Sequence, residues 1–152
     1  MSADDWPSVR SIYLDGIASR NATFETSAPP WEEWDAKHLP RPRLVFRDDG
    51  RVAGWAALGR VSARTCYAGI AEVSVYVGDG SRGRGIGSAL LRELVPRSER
   101  EGIWTLQASI FPENDASVQM HVRNGFRVVG RRERIAQQNG IWRDTLLLER
   151  RA

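Results

Sequence analysis

The stretch Val75-Tyr76-Val77-Gly78-Asp79-Gly80-Ser81-Arg82-Gly83-Arg84-Gly85-Ile86-Gly87-Ser88-Ala89-Leu90-Leu91 constrains this chain more than any other. A β-rich run enters a glycine-dense turn, and a strongly helical run leaves it. Gly83, Gly85 and Gly87 remove Cβ atoms where backbone N–H groups would have to face a ligand. The helix that follows adds unpaired N–H groups and the positive end of its dipole at the same place. Strand, turn and helix in this order predict a site for a phosphate or pyrophosphate, with Arg82 and Arg84 adding charge. Two familiar phosphate turns are excluded. A P-loop ends in Gly-Lys-Ser/Thr, and no lysine stands here. The dinucleotide fingerprint needs a third spaced glycine, and counting from Gly83 and Gly85 that position is Ser88. It also belongs in the first strand–helix unit, whereas this turn lies mid-chain. A flexible turn that binds nothing is the competing reading, and the flanking arginines weigh against it.

Periodicity places the other elements. Asp4 to Ser19 reads as a helix with Val9, Ile12, Tyr13 and Ile17 along one face. Asn21 to Pro30 is irregular, and a short helix from Trp31 to Leu39 stops at Pro40. Arg43 to Arg47 and Arg51 to Arg60 are strands joined by Asp48-Asp49-Gly50, a hairpin signal. Ile70 to Val77 is a strand in which valines alternate with Glu72, Ser74 and Tyr76. A helix from about Ser88 to Glu101 and a strand from Ile103 to Ile110 follow, then a helix from Asn114 to Arg123. Strands Phe126 to Ile135 and Ile141 to Glu149 join near Asn139-Gly140. This order predicts an α/β (α+β) fold with a mixed sheet. No repeat, low-complexity tract or linker interrupts it, so residues 1–152 are expected to form a single domain.

Composition narrows the function classes. Hydrophobic residues make up 41% and charged residues 27%, as in ordinary globular proteins. No run approaches the ~18 apolar residues of a membrane span, and Met1 to Pro7 is too acidic and polar for a secretory signal. Cys66, the only cysteine, excludes internal disulfides and a cysteine zinc cluster, and fits a reducing, cytoplasmic setting. No metal ligand set is visible. Lysine and arginine number 22 against 19 acids, and Lys37 is the one lysine. Arginine suits bidentate binding of carboxylate and phosphate, although GC-rich codon usage inflates it equally well. Nucleic-acid binding finds no reader motif and no basic run with interleaved aromatics.

Arg82-Gly83-Arg84-Gly85-Ile86-Gly87 resembles the Arg/Gln-x-x-Gly-x-Gly/Ala acetyl-CoA motif of the GNAT acetyltransferases. The similarity runs along nearly the whole chain to one branch, the phosphinothricin and methionine sulfoximine N-acetyltransferases. It is carried by Asn21-Ala22-Thr23-Phe24-Glu25-Thr26, Ala63-Arg64-Thr65-Cys66-Tyr67 and Glu72-Val73-Ser74-Val75-Tyr76-Val77. Pro112-Glu113-Asn114-Asp115-Ala116-Ser117, Met120-His121, Asn124-Gly125-Phe126 and Trp142-Arg143-Asp144 continue it. The resemblance implies a mostly antiparallel twisted sheet with helices on both faces, and acetyl-CoA as co-substrate without a metal. It also implies a homodimer and a small amino-acid analogue as the acceptor amine. Val75, Tyr76 and Val77 would then face pantetheine. Arg82 and the run Gly83, Arg84, Gly85, Ile86, Gly87 and Ser88 would hold the pyrophosphate, with Asn114 and Ser117 also against the cofactor. Family members open with a short strand before the first helix and this chain opens at the helix, so either that strand is absent or the start is placed late, and the sheet is expected to lack one edge strand.

Acetyl transfer needs a neutral amine, a polarised thioester carbonyl and a proton for the leaving thiolate. Glu72 interrupts an apolar strand on the same face as Ser74 and Tyr76, and the resemblance makes it the expected base. A plain ion pair with an arginine of a neighbouring strand is its alternative. His121 shares a helix face with Asn114 and Ser117, and the resemblance offers it as acid or base. Asn114 also suits the N-cap of that helix. His38 has no such company and reads as a surface residue. For the acceptor, the resemblance points to Arg64 and Tyr67 as a carboxylate clamp and to Phe24 as a pocket wall, where solvated charge and core packing are the bland alternatives. A lysine that some members carry two residues before this arginine is Ser62 here, which counts against a phosphinate-bearing acceptor and leaves methionine sulfoximine, methionine sulfone or another small amine. Other acceptors (a polyamine, an aminoglycoside, a protein N-terminus) and a CoA-binding module without catalysis are the rival readings.

Overall fold

The computed structural model describes residues 1–152. Ala3–Asp5 form a 3-10 turn that runs into helix α1 (Trp6–Ala18), so the first predicted helix begins with a tightened turn. Helix α2 (Trp31–Lys37) ends two residues before the expected Leu39. The cause is Arg43, whose guanidinium takes the carbonyls of Asp35, His38 and Leu39 at 2.6–2.9 Å. The chain then turns extended, and Leu39 N–H donates to Leu58 O at 2.7 Å.

Six strands form one sheet: β1 (Leu44–Asp48), β2 (Arg51–Arg60), β3 (Ile70–Val77), β4 (Thr105–Ile110), β5 (Arg127–Gln138) and β6 (Ile141–Arg151). Their order is β1-β2-β3-β4-β6-β5, antiparallel throughout except for β3 and β4. The edges are β1 and β5, and the residues before α1 add no strand. Asp49-Gly50 and Asn139-Gly140 have positive φ at both positions, the backbone that two-residue hairpin turns require. Helices α3 (Ile86–Arg100) and α4 (Asp115–Arg123) complete the fold.

Alternation along β2 divides the core. Ala56 and Leu58 point into a cluster with Leu91 and Leu94 of α3 and Leu148 of β6, while Trp55 and Ala57 point into a second cluster with Val9, Ile12 and Trp34. Helices therefore cover both faces of the sheet, as expected. At the far edge, β5 runs to Gln138 rather than stopping at Ile135. A bulge lies between Arg132 and Ala136, where Arg134 takes φ 48° and its N–H donates to Asp144 Oδ1 at 2.8 Å. That side-chain acceptor satisfies an N–H the ladder loses, so the strand continues past the irregularity.

One irregularity positions everything that follows. Strand β3 pairs with β2 along its length, but with β4 only at Ile70↔Thr105, Ala71↔Leu106 and Glu72↔Gln107. Beyond Glu72 the two parallel strands part, and β4 keeps its bonds to β6 as far as Ile110. Val73 to Val77 thus present a strand edge with no strand beside it. No helix is long and apolar enough to cross a membrane.

Candidate active site

The parted strands floor two cavities that share a wall of Asn21, Ala22, Val75, Tyr76, Asn114 and Ser117. The larger, about 630 Å³, lies under the glycine-dense turn and is lined by Val77, Arg82, Gly83, Gly85, Ile86, Gly87 and Ser88 among others. Gly83 and Gly85 have φ of 75° and 78° with open space where a Cβ would stand. Gly85 is the N-cap of α3, which begins at Ile86, two residues before the expected Ser88. The first N–H groups of α3 therefore open onto this cavity with no intrahelical acceptor. Gly87 serves a different purpose from the other two. A Cβ there would collide with the Met120 thioether, so its smallness lets α3 lie close to α4.

The arginines divide too. Arg82 lines the cavity while paired with Asp79 at 2.8 Å. Arg84 does not line it: its guanidinium swings to Asp48 at the β1 end, 2.6 Å away. In its stead Arg123, at the last turn of α4, reaches the cavity and pairs with no acid. The sequence carried no signal for Arg123, because only the packing of α4 on α3 brings it there.

The smaller cavity, about 300 Å³, holds Glu72, Ser74, Phe24 and His121. Glu72 Oε2 accepts from Gln107 Nε2 at 2.9 Å, across the last pair before the strands separate. No arginine pairs with Glu72, so the ion-pair alternative is not what the structure shows. His121 is only 4% exposed, with its Nδ1 2.8 Å from Ser117 O. A carbonyl can only accept, so Nδ1 carries the proton and Nε2, which has no partner in the protein, keeps its lone pair. Burial holds the proton affinity of the ring below the ordinary histidine value, and the imidazole is neutral at pH 7.

Asn114 caps α4 as expected, its Oδ1 accepting from Ser117 N–H at 3.2 Å. Its Nδ2 also donates to Asn21 O at 2.9 Å, fastening the irregular 21–30 segment over the joint between the cavities. Tyr76 packs deep in the wall. Its ring stacks on Trp55 at 4.7 Å, and a Cβ at Gly16 would come within 2.8 Å of it. Burial pushes the Tyr76 hydroxyl above the ordinary tyrosine range, so it stays protonated. Phe24 meets Phe111 edge-on at 4.8 Å and walls the smaller cavity.

Arg64 and Tyr67 stand apart from both cavities. They lie at the exposed 3-10 turn Thr65–Tyr67, with the Arg64 guanidinium 5.6 Å from the Tyr67 ring centre. Within one chain no lysine or arginine lines the smaller cavity, which carries the carboxylates of Glu25 and Glu72. His38 is no surface residue: it is half-buried, stacks on Trp34 at 4.0 Å and has its proton affinity lowered by burial. No group of His, Cys, Asp or Glu is arranged to hold a metal ion.

A strand edge left open beside a cradle of free N–H groups is the geometry that an amide-bearing, diphosphate-tailed ligand requires. The model of the Acetyltransferase (GNAT) family matches residues 6–126. The chain belongs to that family. It is an N-acetyltransferase, and acetyl-CoA is its acyl donor. Among curated relatives, the phosphinothricin N-acetyltransferase of Streptomyces coelicolor is 35% identical, covering 97% of this chain and 91% of the relative. The L-methionine sulfoximine/L-methionine sulfone acetyltransferase of Pseudomonas aeruginosa is 31% identical over 95% of this chain and 88% of its own. Among solved structures, the GNAT superfamily phosphinothricin acetyltransferase of Sinorhizobium meliloti, in complex with AcCoA, superposes with a TM-score of 0.89. It is 30% identical and covers 99% of this chain and 85% of its own. Against the family's donor, the Val73 to Val77 edge suits the pantetheine amides and the Gly83–Ser88 cradle, flanked by Arg82 and Arg123, suits the diphosphate.

Proposed function

We propose that residues 1–152 form one cytoplasmic acetyltransferase domain that acts as a homodimer on the α-amino group of a small amino-acid analogue of the phosphinothricin, methionine sulfoximine or methionine sulfone type. The observation that carries this reading is the junction of the two cavities: a donor cleft that opens, at Asn21, Val75 and Asn114, onto a chamber holding Glu72 and His121. A chamber of about 300 Å³ admits a small amino acid and not a folded peptide chain. The names of the relatives supply the acceptor class.

Bound in the larger cleft, acetyl-CoA presents its acyl group as a thioester at the gap between β3 and β4. Glu72, held by Gln107, takes the proton of the incoming ammonium directly or through a water. A backbone N–H of the open Val73–Val77 edge polarises the carbonyl that is attacked. His121 Nε2, with its lone pair free, takes the second proton the amine releases during attack and hands it to the departing sulfur, a role its unpartnered nitrogen supports. Val75, Val77, Arg82, Gly83, Gly85, Ser88 and Ser117 hold the donor, and Arg123 replaces Arg84 in the charge around the diphosphate.

The acceptor's carboxylate needs a cation that one chain does not bring to the chamber. A second copy related by two-fold symmetry would supply Arg64 and Tyr67 from its exposed turn. Exposed Ile135, Ile141 and Trp142 on the β5–β6 hairpin support such association. Thiol release from acetyl-CoA against methionine sulfoximine, methionine sulfone, phosphinothricin, spermidine and an aminoglycoside tests the reading. Turnover of one of the first three is expected, and turnover of the polycations alone overturns the acceptor class. Glu72→Gln should lower kcat by about 100-fold or more while acetyl-CoA still binds. Unchanged turnover would remove Glu72 from the mechanism.

A further inference from the structure

The reactive chamber has a polarity that acetyl transfer leaves unused. Its lining carries two carboxylates, Glu25 and Glu72, and no cation. Behind the wall formed by Ser109 of β4 and Thr145 of β6, however, lies the guanidinium of Arg132 on β5. Arg132 Nη2 donates to Ser109 Oγ at 2.7 Å, and its Nε donates to Thr145 Oγ1 at 3.2 Å. No carboxylate pairs with it, whereas its neighbour Arg131 is bound to Asp144. Thr145 is 3% exposed, Ser109 is half-buried, and both line the chamber.

A hydroxyl that accepts from a guanidinium still has its own proton to give. Neither Ser109 nor Thr145 gives that proton to any acceptor in the protein. Two O–H donors thus border one small cavity with an unneutralised positive charge behind them. The arrangement is also braced. Arg132 stands directly opposite Thr145 in the β5–β6 register, and the bulge just after it is closed by Asp144, which receives the Arg134 N–H and the Arg131 guanidinium. Alternation along β5 sends Arg131 and Arg132 to opposite faces, so anchoring the first fixes the second.

We propose that the hydroxyls of Ser109 and Thr145, polarised by Arg132, form the receptor for an oxo or oxyanion head group at the end of the acceptor remote from its amine. The chemistry it fits is a sulfone, sulfoximine or phosphinyl oxygen, which accepts hydrogen bonds and carries partial or full negative charge. This rests on the acceptor class given above and adds the residues that read its distal end. The acceptor lies with its ammonium toward Glu72 and its oxygens toward Ser109 and Thr145, following the charge gradient of the chamber. A thioether of the same length has no oxygen there and leaves both donors unpaired, which a built polar site discriminates against strongly.

The test compares methionine sulfone with methionine, which share the α-amine and carboxylate and differ only in the two sulfone oxygens. The native enzyme is expected to favour the sulfone, and Arg132→Met or Ser109→Ala/Thr145→Val to shrink the ratio of kcat/KM for sulfone over methionine by about ten- to a hundred-fold. Equal losses on both acceptors, or an unchanged ratio, overturn the proposal. A second measurement needs no turnover: methanesulfonate titrated into the isotope-labelled protein should shift the backbone resonances of Ser109 and Thr145, and Arg132→Met should abolish the shift. No shift in the native protein overturns the receptor. A shift without turnover of any analogue instead overturns the acceptor class and leaves the receptor standing.

Discussion

Lowering the pH from neutrality should weaken the fold through two buried imidazoles. Burial depresses the proton affinity of His121 and of His38 from the ordinary value of 6.5, against the opposing pull of the carbonyls of Ser117 and Trp34. In the unfolded chain each ring takes up its proton around pH 6.5, while in the folded chain it does so only at lower pH. The unfolded state therefore binds more protons just below 6.5, and stability falls as pH falls, until the folded rings protonate as well. The slope cannot exceed about 1.4 kcal/mol per pH unit for each ring, or about 2.7 for the pair. Asp144, held below the usual carboxylate range by the Arg134 N–H and the Arg131 guanidinium, loses its contribution at still lower pH. Urea unfolding followed by far-ultraviolet circular dichroism at closely spaced pH values from neutrality to about 5.5 measures the slope directly. His38→Gln and His121→Gln should each remove roughly half of it, and the double variant nearly all. A double variant that keeps the native slope would refute the assignment of these rings as neutral in the folded protein.

Asn114→Ala removes the α4 cap and the tie to Asn21, and should cost about 1–2 kcal/mol by chemical denaturation as well as loosening acetyl-CoA. Arg123→Met should raise the acetyl-CoA Kd several-fold, more at low salt, whereas Arg84→Met should leave it within about two-fold by calorimetry, because Arg84 is engaged with Asp48. Mixing inactive Glu72→Gln with inactive Arg64→Met protein should restore about a quarter of native turnover if each site takes Glu72 from one chain and Arg64 from the other. No recovery after subunit exchange would place Arg64 outside the acceptor site.

Local signals were legible where a residue's role is decided by its neighbours in sequence. Both hairpins were marked by Asp-Gly and Asn-Gly pairs, and the Asn114 cap by its place before a helical run. The glycine turn was legible as a tight entry into α3, yet its three glycines looked alike. Gly83 and Gly85 meet a backbone demand that precedes any tertiary contact, whereas Gly87 answers to Met120, thirty-three positions away. Arg84 looked as well placed as Arg82 for the same reason, and only the hairpin carrying Asp48 draws it off. His38 read as surface because nothing local announced the aromatic stack with Trp34, and the end of α2 was misplaced because Arg43 arrives from beyond Pro40 and Pro42.

Charge explains why the chamber's specificity was the least legible part. Glu72, the proposed base, betrays itself by interrupting an apolar strand, since a carboxylate there needs a reason. Arg132 betrays nothing, sitting among Arg131, Glu133 and Arg134 as one charge in a run that reads as solvated. What separates it from Arg131 is the face of β5 on which it falls and the lack of an acid within reach. Its face follows from its register opposite Thr145, and the nearby carboxylate of Asp144 is engaged by the Arg131 guanidinium and the Arg134 N–H on the other face. Because Asp144 anchors the strand beside Arg132 from outside the chamber, its loss should change head-group preference before it changes the rate of acetyl transfer itself.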